Sequence, residues 1–150
     1  MALSGVRDPD GPGDPANRLV TARRWRAMIP TMIFGPDLIP KVLDGRKTVT
    51  RRRSQHRDGR PLRYLAGGVY AVQPGRGQPH VGHIEVGSVS IEPLVAMTEE
   101  EARSEGFRSL TVFMAYWMML HRGWNPDEPV VRIAFRRAPD CARCAEVLPP

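Results

Sequence analysis

Cysteine is almost missing from this sequence: only Cys141 and Cys144 occur in 150 residues, both in a short segment beyond the last core-forming stretch. A disulfide framework is thereby excluded, so stability has to come from an apolar interior. Long hydrophobic runs are missing too, with nothing near the roughly 18 apolar residues that a membrane-spanning helix needs. The first 20 residues place Asp, Pro and Gly where a signal peptide carries its apolar stretch, which predicts a cytoplasmic chain without a membrane partner. Internal repeats are absent as well, and 150 residues leave room for one compact domain with loose ends. Acid is the scarcer charge. Against 16 Asp and Glu stand 22 Lys and Arg, a formal charge of +6 that draws polyanions before any specific contact forms. Nucleic acid, a nucleotide or another anionic small molecule heads the partner list, beside the plainer case of a basic protein that binds none of these.

What is present divides into three parts. Residues 1–28 read as a disordered or arm-like tail, because Asp8-Pro9-Asp10-Gly11-Pro12-Gly13-Asp14-Pro15 mixes turn formers with charge and offers little to bury. Its patch Arg23-Arg24-Trp25-Arg26 suits either a solvated arm with one anchored Trp or a nucleic-acid contact. Residues 29–137 carry the globular pattern, and residues 138–150 form a second tail with the Cys-x-x-Cys.

Within the globular part, Thr31-Met32-Ile33-Phe34 suits a strand that Gly35-Pro36-Asp37 breaks. Leu38, Ile39, Val42 and Leu43 recur at helical spacing, Pro40 forces a late or irregular start, and Gly45 suits a left-handed ending. Gly67 to Gly75 reads as a strand between turns, and His80 to Leu94 alternates well enough for one or two more. Thr98 and Glu101 make a capping box for a helix stopping near Gly106. Ser109 caps another, with Leu110, Phe113, Met114, Trp117 and Leu120 as a core stripe. Asn125-Pro126-Asp127 turns the chain into a last strand, Val130 to Phe135. Strands separated by short helices without regular alternation predict an α+β domain on a small, mostly antiparallel barrel.

The chemistry concentrates between Arg46 and Arg63, where Arg46, Lys47, Arg51, Arg52, Arg53, Arg57, Arg60 and Arg63 accompany a single acid, Asp58. So dense a cluster repels itself and resists burial, which points to an anion-facing surface, with a merely solvated loop as the alternative. Gly45-x-Lys47-x-x-Thr50-x-Arg52, flanked by Phe34-Gly35-Pro36 and followed by Thr98-Glu99-Glu100-Glu101-Ala102-Arg103-Ser104-Glu105-Gly106-Phe107, resembles the Gly-x-Lys-x-x-Thr-x-Arg signature of bacterial and phage ASCH domains over roughly residues 31–137. The resemblance implies a PUA-like β-barrel with flanking short helices. It also implies RNA or a nucleotide-like ligand in a cationic cleft and, in some members, amidohydrolase action on N4-acetylcytidine or ribonuclease activity. Carried over by position, the catalytic residues it implies are Lys47, Thr50 and Glu105.

Elementary chemistry is compatible with that set. A Thr hydroxyl needs a base to become a nucleophile, and a lysine serves only when burial or neighbouring positive charge lowers its pKa. Arg46, Arg51 and Arg52 supply such charge and, with Arg53, are the candidate ligand-binding residues, with Glu105 as proton donor to the leaving amine. Hydrolase and non-catalytic RNA- or modified-base-binding module both stay open. Gly67-Gly68 stands where relatives commonly carry a Gly-Asp turn, so an acid beside the cleft is missing, and the arginines from Arg53 to Arg63 favour a polymeric or phosphorylated ligand. No cofactor or metal is expected: His80 and His83 are predicted on opposite faces of a strand, and a lone Cys-x-x-Cys falls short of a zinc site unless a histidine or another chain completes it. Trp117 and Trp124 suit stacking on a base, although Trp117 also belongs to the core stripe.

Overall fold

The computed structural model describes residues 30–55, 59 and 62–138. The arm with Arg23-Arg24-Trp25-Arg26, the basic residues Arg57 and Arg60, and the pair Cys141 and Cys144 lie outside the described residues. Five strands, β1 (Thr31–Ile33), β2 (Val49–Arg53), β3 (Val69–Gln73), β4 (Gly82–Pro93) and β5 (Pro129–Arg137), form one sheet in the order β1-β3-β4-β5-β2. Only β1 and β3 run parallel. Three short helices, α1 (Ile39–Leu43), α2 (Glu99–Ser104) and α3 (Leu110–His121), complete an α+β domain. None of the helices among the described residues is long and apolar enough to cross a membrane.

The sheet is open where the sequence suggests a closed barrel: β1 and β2 are its two edges. β1 ends after three residues because Gly35-Pro36 turns the chain into α1, and Pro36 has no N–H to extend a ladder. A side chain spans the gap instead, with the Arg52 guanidinium donating to the Ile33 carbonyl.

Local signals decide most elements. Thr98 accepts from the Glu101 N–H at 3.2 Å and Ser109 from the Val112 N–H at 3.2 Å, as capping requires. Pro40 sits in the first turn of α1, where its missing donor costs little. His80 to Leu94 yields one strand of 12 residues rather than two, with a register shift between Val86 and Ser88 that lets it turn from β3 towards β5 without breaking. β4 begins only at Gly82, so His80 precedes it and the His80 and His83 rings meet at 5.4 Å, not on opposite faces.

Two apolar clusters result. One gathers Met32, Phe34, Val42, Val72, Ile84, Ile133 and Phe135; the other joins Leu94, Met97, Ala102, Phe113, Trp117 and Val130. Phe107 packs against both, just past α2. Leu120, expected in the core stripe, is 53% exposed, because the helix ends one residue later and turns away through left-handed Arg122 (φ 58°).

Candidate functional site: a seam between the sheet edges

The open seam is a cavity of about 320 Å³, bounded by the end of β1, by β2, and by α3. Backbone contacts set its first wall. Lys47 donates its N–H to the Lys41 carbonyl of α1 and Thr48 to the Ser104 carbonyl of α2, both at 2.9 Å, so the segment after Gly45 is fastened between two helices. Gly45 makes the turn with φ +84°. Gly106 is required for closeness: at φ +91° it approaches so near that a Cβ would lie 3.2 Å from Lys41 Cδ and 3.5 Å from Lys47 Cβ.

That packing buries Lys47 to 1% exposure, and its ammonium finds three acceptors: the Glu105 carbonyl at 2.7 Å, the Val49 carbonyl at 2.9 Å and Glu105 Oε2 at 3.1 Å. Three donors are thus matched by three acceptors, as burial of an ammonium demands. Burial holds the Lys47 pKa below the ordinary lysine value, Glu105 opposes the shift, and Arg52 and Arg51 add to it. Glu105 uses its other oxygen for Arg51 Nη1 at 3.1 Å. Thr50, 4% exposed, lines the cavity beside them.

The sequence-derived set therefore divides. Lys47, Thr50, Glu105, Arg51, Arg52 and Arg53 all line the seam. Arg46 does not; it is exposed and paired with Asp44 at 2.6 Å, adjacent in sequence to Lys47 yet outside the cavity. Arg53 is half-exposed and pairs with Glu128 at 2.8 Å. Arg51 is buried among Glu92, Glu101 and Glu105. Arg52 lies over the Phe34 ring at 5.2 Å and, among the described residues, its Nε has no partner.

The opposite wall is aromatic. Phe107, Phe113, Tyr116 and Trp117 line it in one contiguous group, with Phe107 and Tyr116 rings 4.9 Å apart and Phe113 and Trp117 6.0 Å apart. Gly35 accommodates Tyr116, since a Cβ there would stand 2.8 Å from the hydroxyl. Sequence reasoning found Phe113 and Trp117 as core but missed Phe107, Tyr116 and His121 as cavity residues. Tyr116 and His121 lie on α3 and Phe107 in the link between α2 and α3, and that these face an open seam is set by tertiary packing, which local spacing does not report. Burial lowers the His121 pKa, and nearby Arg53 adds to the effect. Among the described residues, no group of three His, Cys, Asp or Glu side chains is placed to hold a metal.

Comparison with known proteins supplies the context. The ASCH domain family model matches residues 30–137. Among solved structures, a protein from Enterococcus faecalis V583 aligns at 19% identity and TM-score 0.56 over 82% of this chain and 93% of its own. An ASCH domain from Lactobacillus crispatus JV V101 aligns at 20% identity and TM-score 0.53 over 84% and 96%. An ASCH protein from Zymomonas mobilis aligns at 18% and 0.51 over 71% and 65%. No curated protein sequence matches.

Proposed function

The chain belongs to the ASCH domain family, and from that premise we propose that its seam binds a nucleoside-type ligand, within RNA or free, and hydrolyses an acyl amide on the base, as in N4-acetylcytidine. The observation that carries this reading is the buried Lys47–Glu105 pair forming one wall of a cavity that Thr50 also lines. At about 320 Å³ the cavity is near the lower end of ligand sites, which run from roughly 300 to 1,000 Å³, so it suits one small molecule rather than a length of strand. The aromatic wall offers stacking to a flat base.

Charge compensation supports an uncharged ligand. Among the described residues around the cavity and its ion pairs, Lys47, Arg51, Arg52, Arg53 and Arg132 face Glu92, Glu101, Glu105 and Glu128, five cations against four anions. Among these residues a polyphosphate has little to gain, which supports a nucleoside held by shape and stacking over the polymeric or phosphorylated ligand that the arginines suggest. Arg52, paired with a carbonyl rather than a carboxylate, is the cation best able to turn to a ligand oxygen.

The chemistry follows from the pair. As an ammonium Lys47 has no lone pair, but Glu105 Oε2 is 3.1 Å away, and transfer of one proton yields an amine and a carboxylic acid together. The amine takes the Thr50 hydroxyl proton, and Thr50 Oγ1 bonds to the acyl carbon. The amide C–N bond then breaks, and Glu105 delivers its proton to the departing base nitrogen. Water attacks the resulting ester, with Glu105 accepting its proton and Lys47 returning one to Thr50, which frees the carboxylic acid; Glu105 then passes its proton back to the Lys47 amine and the starting carboxylate and ammonium are restored. The saturated ammonium also supports a second reading, a module that only binds RNA or a modified base.

Incubation with N4-acetylcytidine, followed by mass spectrometry, separates the two. The expected result is cytidine and acetate from the unaltered protein and none from Lys47→Ala or Thr50→Ala, with secondary structure retained. Absence of turnover in the unaltered protein, combined with measurable nucleoside binding, leaves the binding module.

A further inference from the structure

Arg51 is not part of the Gly-x-Lys-x-x-Thr-x-Arg pattern, yet its guanidinium is bonded to three carboxylates. Its Nε donates to Glu92 Oε1 at 2.8 Å, its Nη2 to Glu101 Oε2 at 2.5 Å and its Nη1 to Glu105 Oε1 at 3.1 Å. Three carboxylates from β4, α2 and the end of α2 meet on one guanidinium whose side chain is 1% exposed. Arg51 also stands directly opposite Arg132 in the β2–β5 ladder, a like-charge pairing that is unfavourable unless an anion intervenes. Glu101 is that anion: it accepts from Arg132 Nε at 2.9 Å and Nη2 at 3.0 Å while holding Arg51.

We infer that Arg51 and Glu101 are positioning residues, an ionic relay that divides the Glu105 carboxylate between Arg51 and Lys47 and so keeps Lys47 and Glu105 in register for proton exchange. The inference rests on the reading of that pair as the reacting one. Its physical content is competition. Glu105 has one oxygen for each cation, and what Arg51 takes depends on how firmly Glu101 and Glu92 hold the rest of the guanidinium. Without Glu101, Arg51 is under-compensated and draws Glu105 from Lys47. Without Arg51, Glu105 turns wholly to Lys47 and locks it as an ammonium. A capping residue of α2 thereby acts on a lysine it does not touch, while its capping contact with Thr98 uses only backbone N–H.

The groups facing the Lys47 ammonium are Glu105 beyond α2, the Val49 carbonyl, Arg51 and Arg52 of β2 and the Phe34 ring at 5.9 Å, so its titration reports on this balance. The chain has only two lysines, Lys41 and Lys47, so side-chain NMR of the full-length protein resolves both, with Lys41→Arg as assignment. Expected results are a Lys47 midpoint lowered by about one pH unit in Glu101→Gln and raised by a similar amount in Arg51→Met. In the Arg51→Met background, Glu101→Gln should change nothing further. Arg51→Lys, which keeps the charge but cannot reach three carboxylates at once, should fall between, and it serves if Arg51→Met fails to fold. An unmoved midpoint in Glu101→Gln overturns the relay, and so does an equal shift with and without Arg51, which would show a direct field effect. The titration needs no ligand, so a protein that passes it yet neither binds nor turns over a nucleoside refutes the functional proposal and not the relay.

Discussion

The β2 side of the seam and the α3 side are built from opposite materials. On the first, Lys47, Arg51 and Glu105 are buried with charges satisfied one against another; on the second, Phe107, Phe113, Tyr116 and Trp117 pack ring against ring. Buried ion pairs contribute little net stability because desolvation offsets their attraction, whereas buried aromatics are strongly stabilising. Stability therefore resides in the α3 wall, and the β2 wall is kept for what its charges do.

The largest effect should come from breaking the ionic wall on one side only. Glu105→Leu leaves two buried cations short of an anion and should cost about 3–5 kcal/mol in chemical denaturation. Adding Lys47→Met should recover most of that loss while leaving the site inert. If the double variant is no more stable than the single one, the charges hold the fold together and the contrast between the walls fails. Trp117→Ala attacks the other wall and should cost about 3–5 kcal/mol, with no double variant to relieve it.

Acid provides a graded test. The hydrogen bonds from Arg132 and then Arg51 pull the Glu101 pKa from 4.5 to about 2. A carboxylate depressed in the folded state stabilises it above the unfolded value, so this contribution should be intact at neutral pH and drain away as pH falls from 4.5 towards 2. Glu101→Gln should flatten that part of a stability-against-pH curve; a curve identical to the unaltered protein's would show that the relay is not formed in solution. The smallest effects belong to the outer cations. Arg46→Ala removes an exposed pair with Asp44 and Arg53→Ala a partly exposed one with Glu128, and each should change stability by less than about 1 kcal/mol.

What the sequence disclosed follows the same division. Caps at Thr98 and Ser109, the break at Gly35-Pro36 and the turn at Gly45 are local events, and local residue chemistry specifies them. The signature brought Lys47 and Thr50 to attention and the wider resemblance Glu105, and the fold sets all three on one cavity. Compensation of Arg51 was not legible, because it finds Glu92 and Glu101 at separations of 41 and 50 residues. A linear reading sees uncompensated charge where the fold supplies carboxylates from other elements. The open sheet was hidden likewise: whether β1 reaches β2 depends on a three-residue strand and on the Arg52 bridge to Ile33. His80 and His83 were misplaced by a strand boundary two residues later than the alternation suggested.

The most direct trial of the account is calorimetric titration of the full-length protein with N4-acetylcytidine and with its 5′-triphosphate, each at low and at high salt. A cavity whose described cations are nearly matched by carboxylates, facing an aromatic wall, should bind the nucleoside with an affinity that salt leaves nearly unchanged, and the triphosphate no more tightly. Stronger binding of the triphosphate, falling steeply as salt rises, would mean that free cations rather than compensated ones line the seam, and would contradict it.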